Sequence, residues 1–518
     1  MTEQNQNNVN MQYDEYLALK YESKIQNGTL LIDPENREDP EVSNLRFIEK
    51  LNIQVLKVYI DKIMTVKLKT DTIKELTVNY TLTYLLGSES SECIKNIQKQ
   101  QRLNVNNLEL ENLEVLDLKD TFLENDQLYN LAKFKKLRSL NVSNNRVDLL
   151  NIHNITSLTK LSMSYCSLQN IDLISSLVNL QELNLNGNSI LDLSSLLKLK
   201  CLTKLYMCSC ILKNINQIIY QISQLVNLEE FDLSSLFFTD IDISPLCKLK
   251  NLTKLNLSFS YYLKGIDQIW QLTLEVLNIS ATGLKNTDSI GPLINLKELD
   301  ISENLNIEDI TPLKDLVGLI KLNMNRCGIA HLSALKYLIN LQFLDISSNY
   351  KIDDINQLQY LKNLTRLRVQ CCSVISICAL RPLVNLEYLN IEKNQIVYVD
   401  ANLNNMTNLQ HLNVYHNYVR EFSSFEQHQN YNLLGKHYGI SAQISDPSEE
   451  LLTKAKQLRL IEIPNIQLKE IQHKTLKTAL NNFKQQINSE MSNALSKQLQ
   501  FTANVVRLFQ HLNQFGFE

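Results

Sequence analysis

The stretch LQELNLNGN (Leu180–Asn188) is answered 22 residues later by LTKLYMCSC (Leu202–Cys210). Both carry apolar residues at Leu180, Leu183 and Leu185 or at Leu202, Leu205 and Met207, and both end on a small polar residue, Asn188 or Cys210. Around the central leucine the pattern alternates with period two, which predicts a short strand with leucines inward and polar side chains outward. One such strand cannot cover its own leucines, whereas stacked copies make a continuous core and a parallel sheet.

The pattern extends in both directions. Upstream it gives Leu137-Leu140-Val142-Asn145 and Leu158-Leu161-Met163-Cys166. Downstream it gives Leu296-Leu299-Ile301-Asn304, Leu319-Leu322-Met324-Cys327 and Leu341-Leu344-Ile346-Asn349, then Leu364-Leu367-Val369-Cys372, Leu386-Leu389-Ile391-Asn394 and Leu409-Leu412-Val414-Asn417. Copies at Leu228, Leu252 and Leu274 keep the leucines but end on Leu236, Ser260 and Thr282. Most copies start 22 or 23 residues apart, with longer steps before Leu137, Leu228 and Leu252. A second apolar set, such as Ile307-Ile310-Leu313-Leu316, forms the return path. Pro245, Pro292, Pro312 and Pro382 stand where that path begins and suit an irregular or 3₁₀ start that needs no N–H donor.

These residues resemble the leucine-rich-repeat family in its short class of about 22 residues, which includes a protein-phosphatase-1 regulatory subunit and the bacterial internalins. The resemblance covers Leu113 to Asn417. It implies an α/β fold: a solenoid with a curved parallel sheet on its concave face and an irregular or 3₁₀ convex side. It also implies a non-catalytic scaffold or adaptor that binds a protein partner on the concave face. A regulatory subunit docking on an enzyme such as a phosphatase is the alternative, and a surface adhesin a weaker one. The fold alone does not choose among them.

The last motif residue alternates through Asn145, Cys166, Asn188 and Cys210, and again through Asn304, Cys327, Asn349, Cys372 and Asn394. The third residue tends to alternate in sign through Lys160, Glu182, Lys204, Glu230 and Lys254. Both point to growth by duplication of a two-repeat unit, with opposite charges side by side on adjacent strands. The ten cysteines form no disulfide framework, and four of them are motif residues, which indicates a reducing, cytoplasmic setting. Asn251 and Asn363 head glycosylation-type triplets, read here as by-products of Asn-rich composition inside the repeat strands.

Along the chain we expect an N-terminal tail and helical cap over residues 1–50, degenerate repeats over 51–112 and the solenoid over 113–425. A linker over 426–469 and an amphipathic C-terminal helix over 470–518 complete the layout. Within that helix Leu476, Leu480, Phe483, Ile487 and Met491 share a face, open to a partner, to self-association or to capping of the solenoid. A net charge of −4 gives no footprint for nucleic acid, and no apolar run reaches the length of a membrane span. Phosphate-loop, dinucleotide, metalloprotease and nucleophile-elbow motifs are absent, so neither enzyme chemistry, cofactor nor metal is expected.

Outward strand positions in the early and middle repeats carry mainly Ser, Asn, Asp and Lys/Glu, with Tyr165, Tyr206 and Phe259 as a small aromatic group. The last repeats change character: Phe343, Arg366, Arg368, Tyr388, Lys393, His411, Tyr415 and His416 stand there. Aromatics and Arg are the types enriched at interface hot spots, so Phe343, Arg366, Arg368, Tyr388, Lys393, His411 and Tyr415 are the candidate partner-binding residues.

Overall fold

The computed structural model describes residues 108–418 with gaps at 122, 124, 126–127, 130, 237–240, 262, 398–405 and 415. Ahead of them it describes residue 26 and the segments 29–32, 54–60, 68–69 and 72–80. The expected N-terminal cap helix, the linker, the C-terminal helix and the candidate Tyr415 therefore lie outside the described residues.

Within the described residues, seventeen strands form one sheet. They follow in chain order from Thr29–Ile32 through Val55–Ile60, Glu75–Tyr80 and Val115–Asp117 to His411–Asn413, every pair parallel. The sheet thus starts ahead of residue 51, because the apolar run TLLI at Thr29–Ile32 pairs residue for residue with Val55–Val58. A second, two-stranded pairing joins Leu68–Lys69 to Leu108–Glu109.

From Val115 onward each strand is only three residues long, and its middle residue points inward. Register places these middle residues in one file, from Leu116, Leu140 and Leu161 to Leu367, Leu389 and Leu412. Phe231 is the one residue of that file, between Leu205 and Leu255, that is not leucine. With the second apolar set, these residues form a single buried cluster along the described solenoid. Each buried leucine contributes roughly 1.5–3 kcal/mol, which is what holds strands too short to persist alone.

The chain returns mostly through 3₁₀ turns, for example Asp172–Ser176, Thr311–Asp315 and Asn356–Tyr360. Pro245 and Pro312 open such turns, as their missing N–H allows. Pro292 and Pro382 instead sit in plain turns. The long step before Leu228 holds an α-helix, Ile215–Ile222, which buries Ile218, Ile219 and Ile222. The extra residues give room for two turns of helix, and the spacing of its isoleucines puts them on one face.

The Asn/Cys alternation has a bonding logic. Asn188 accepts the N–H groups of Cys166 (3.1 Å) and Leu168 (2.9 Å) from the preceding repeat. Its amide donates to the Met163 and Leu185 carbonyls, both at 2.8 Å. Asn145, Asn304, Asn349 and Asn394 repeat this bridge to the repeat before them. The cysteines give less: the Cys166, Cys210, Cys327 and Cys372 thiols donate back to a strand-end carbonyl at 3.2–3.4 Å, and all but Cys210 also lie 3.6–3.9 Å from the carbonyl two residues earlier. Thr282 and Ser260 take the same place with a hydroxyl donor, and Leu236 fills it with a buried side chain. Burial pushes the Cys166 and Cys210 thiols up to about 11 and the Cys327 and Cys372 thiols up to about 12. They remain protonated donors.

A second asparagine ladder runs at the entry to the strands. Asn179, Asn227, Asn251, Asn340, Asn363 and Asn385 each donate to a carbonyl one repeat earlier, at 2.8–3.0 Å. Asn251 and Asn363 are therefore not compositional by-products inside strands. They stand in the turns before Lys254–Asn256 and Arg366–Arg368 and satisfy backbone there.

Candidate interaction face

Each three-residue strand presents its first and third side chains on the outward face, so register builds two columns of outward residues. In the first column opposite charges meet across strands. Lys160 reaches Glu182 at 2.7 Å, Lys204 and Lys254 share Glu230 at 3.9 and 3.3 Å, and Lys321 reaches Glu298 at 2.7 Å. The sign alternation legible in the sequence is this lattice. Tyr206 adds a 2.8 Å hydrogen bond to Glu230, and burial together with that carboxylate raises its hydroxyl far above the usual phenol range.

The third residue of the strand does structural work. From Asp232 to Asn413 it is Asp or Asn in every strand but one, and from Asp232 to Asn390 these side chains accept the N–H two residues on, as Asp232 does from Ser234 and Asn256 from Ser258. These closures hold the strand end. Just beyond them each turn has a residue of positive φ, for example Ser209 at +56°, Phe259 at +55° and Arg326 at +52°. Gly187 occupies that place in its own repeat at +67°. The αL bend is thus imposed by the repeat on residues of many kinds, at a local cost covered by the packed core.

The strand Arg366–Arg368 departs from both columns. In the first, Phe343, Arg366, Tyr388 and His411 stand in consecutive register across four strands. In the third-residue column, Arg368 is the one residue between Asp232 and Asn413 that is not Asp or Asn. The Arg368 guanidinium lies over two rings at once, 5.9 Å from the centre of Phe343 and 5.5 Å from that of Tyr388. It also approaches the nearly buried Asp345 carboxylate at 3.7 Å. Tyr388 in turn stacks at a tilt on His411, with centroids 5.8 Å apart. Phe343, Arg368 and Tyr388 are half-buried, whereas Arg366 and His411 are exposed.

The structure thus brings five of the candidates, Phe343, Arg366, Arg368, Tyr388 and His411, into one patch. Lys393 sits apart from the strand columns, at the αL turn (φ +54°), where it pairs with Glu392 at 3.5 Å. His416 occupies the same turn place, as do Tyr165 and Phe259 of the earlier aromatic group. Sequence reading missed Asp345, which holds Arg368 in place. The signal was present, since Asp345 belongs to the Asp/Asn column and is directly opposite Arg368. Gln370 and Glu392 extend the patch's rim through hydrogen bonds from Asn390 (2.8 Å) and Asn413 (3.1 Å).

Among the described residues no group of His, Cys, Asp or Glu is arranged to hold a metal ion, and no helix is long and apolar enough to cross a membrane.

No family profile matches the chain, and no curated protein does. Solved structures do. An internalin from Listeria monocytogenes is 24% identical, with 60% of this chain and 87% of that one covered and a TM-score of 0.50. A leucine-rich-repeat protein of Leptospira interrogans is 23% identical over 70% of this chain and 89% of its own, with a TM-score of 0.55. At these identities the likeness is one of fold. The repeat, its in-register leucine file and this likeness make the chain a leucine-rich-repeat solenoid of the short-repeat class.

Proposed function

We propose that the chain is a non-catalytic scaffold whose partner, another protein, docks on the outward face of the sheet from Phe343–Asp345 to His411–Asn413. The observation that carries this reading is the break in the lattice. Up to Lys321 the first column is closed by its own ion pairs, and after it the column becomes aromatic and cationic. Part-buried rings beside an Arg are the composition of interface hot spots, and neither the core nor the turns need them there. The fold shared with the internalin supports a binding role without naming a partner.

We place the protein in a reducing compartment. In support, Cys166, Cys210, Cys327 and Cys372 serve as thiol donors to strand-end carbonyls, a role that oxidation would abolish.

The docking reading is tested by alanine substitution in the full chain. Tyr388→Ala combined with Phe343→Ala is expected to reduce recovery of a native partner about tenfold or more, on the usual scale for hot-spot residues. Trp270→Ala, on the return side, is expected to leave it unchanged. Equal recovery by the folded double variant would refute the reading.

A further inference from the structure

Resting on that docking reading, the electrostatics of the patch specify the partner's chemistry. In the first outward column every charge from Lys160 to Lys321 has an opposite neighbour within 4 Å. Arg366 breaks the rule. It is exposed, and among the described residues no carboxylate pairs with it. Its neighbours in register are the rings of Phe343 and Tyr388, one strand away on either side. The second cation of the strand, Arg368, is already committed: Asp345 balances its charge and the same two rings cover its faces.

The patch therefore offers one uncompensated guanidinium on a residue flanked in register by two aromatic residues, whose bulk lowers the local dielectric. A guanidinium presents a planar fork of donors that matches a carboxylate two bonds to two, and such bonds strengthen as water is displaced. One free positive charge suits one carboxylate. A phosphate dianion would call for a second free cation, and Arg368 is not one. On the preceding strands the column carries four lysines, Lys160, Lys204, Lys254 and Lys321, against three glutamates, Glu182, Glu230 and Glu298, and each charge lies within 4 Å of an opposite one, so the contrast at Arg366 is local. Apolar side chains flanking the acid would lie on the Phe343 and Tyr388 rings.

We propose that Arg366 seats the carboxylate of an Asp or Glu in an extended segment of the partner protein, with Phe343 and Tyr388 as the walls of the seat.

The test uses random linear peptides displayed on phage and selected on the immobilised full-length chain. Wild type is expected to enrich peptides with an Asp or Glu beside an apolar or aromatic residue. Arg366→Gln is expected to lose the acidic preference and Arg366→Glu to exchange it for Lys or Arg. A peptide selected on wild type, titrated by fluorescence anisotropy, should bind Arg366→Gln roughly ten- to a hundredfold more weakly. Arg366 is exposed, so thermal melts of both variants should match wild type and exclude misfolding as the cause. No enrichment, enrichment without an acidic position, or an acidic preference that survives Arg366→Gln would each overturn the assignment. Tighter binding of the same peptide with phosphoserine in place of its acid would also overturn it, in favour of a phosphate. Failure of the docking reading looks different: there Phe343→Ala and Tyr388→Ala leave a native partner's binding intact, whatever the peptides do.

Discussion

Asn188, 1% exposed, spends its whole side chain on the backbone: two N–H groups accepted and two carbonyls satisfied. Removing it leaves three of these groups buried and unpaired, since the Leu185 carbonyl keeps the Cys210 thiol, at about 1–3 kcal/mol for the first and less for each that rearranges. Asn188→Ala is expected to lower stability by about 2–4 kcal/mol in urea unfolding, and Cys210→Ala, which removes a single 3.2 Å thiol bond, by about 1 kcal/mol. Equal losses for the two would contradict the division of labour between the alternating residues. The thiols also make a pH prediction. Burial raises Cys327 and Cys372 from an ordinary value near 9 to about 12, so the unfolded chain releases its thiol protons first. Their contribution is complete below about pH 9 and is lost as pH climbs toward 12. Cys327→Ser with Cys372→Ser keeps a hydroxyl donor that does not titrate. This variant should lose less stability than wild type between about pH 8 and about pH 11, and parallel loss would count against the assignment.

Among the elements, strand, turn and return differ in what holds them. The three-residue strands persist because their middle leucines are stacked in register, and the outward ion pairs only decorate them. Glu230→Gln removes both the Lys204 and Lys254 pairs and weakens the Tyr206 hydrogen bond, yet these groups are partly solvated. The expected cost is below about 1 kcal/mol and smaller still in high salt. Leu255→Ala, on the inward side of the strand that also carries Lys254, is expected to cost about 2–5 kcal/mol. A charge variant as damaging as the leucine variant in the same unfolding experiment would reverse this ranking. The strands were legible because leucine alternation is a direct consequence of one buried face. The conformation of the returns was not, since 3₁₀ turn or α-helix depends on how many residues must cover a fixed distance. Ile215–Ile222 shows the effect of a few more. Asn251 and Asn363 were misread for a related reason: their bonding partners, the Val226 and Ile339 carbonyls, lie a full repeat away, where local sequence does not point.

At the scale of the described solenoid, one repeat unit produces a surface of nearly constant chemistry, so departures from it carry information. The aromatic and cationic change of the outward residues after Lys321 was visible in the sequence, and five of the seven candidates meet in one patch. What stayed hidden was the difference between two neighbouring arginines. Arg368 is stacked and balanced by Asp345, while Arg366 has rings beside it and no counter-charge among the described residues. Register across strands decides this, and a single repeat does not contain it. Lys393 was grouped with them because the turn residue follows the strand directly in sequence, although the αL bend takes it off the sheet columns. The central claim is that this patch is the surface a partner covers. Hydroxyl-radical footprinting of the full chain with and without its captured partner reads side-chain exposure directly. The account predicts that oxidation of Phe343, Tyr388 and His411 falls on binding while that of Tyr337 and Tyr360 on the return side is unchanged. Protection of Tyr337 and Tyr360 with Phe343, Tyr388 and His411 still fully reactive would contradict it.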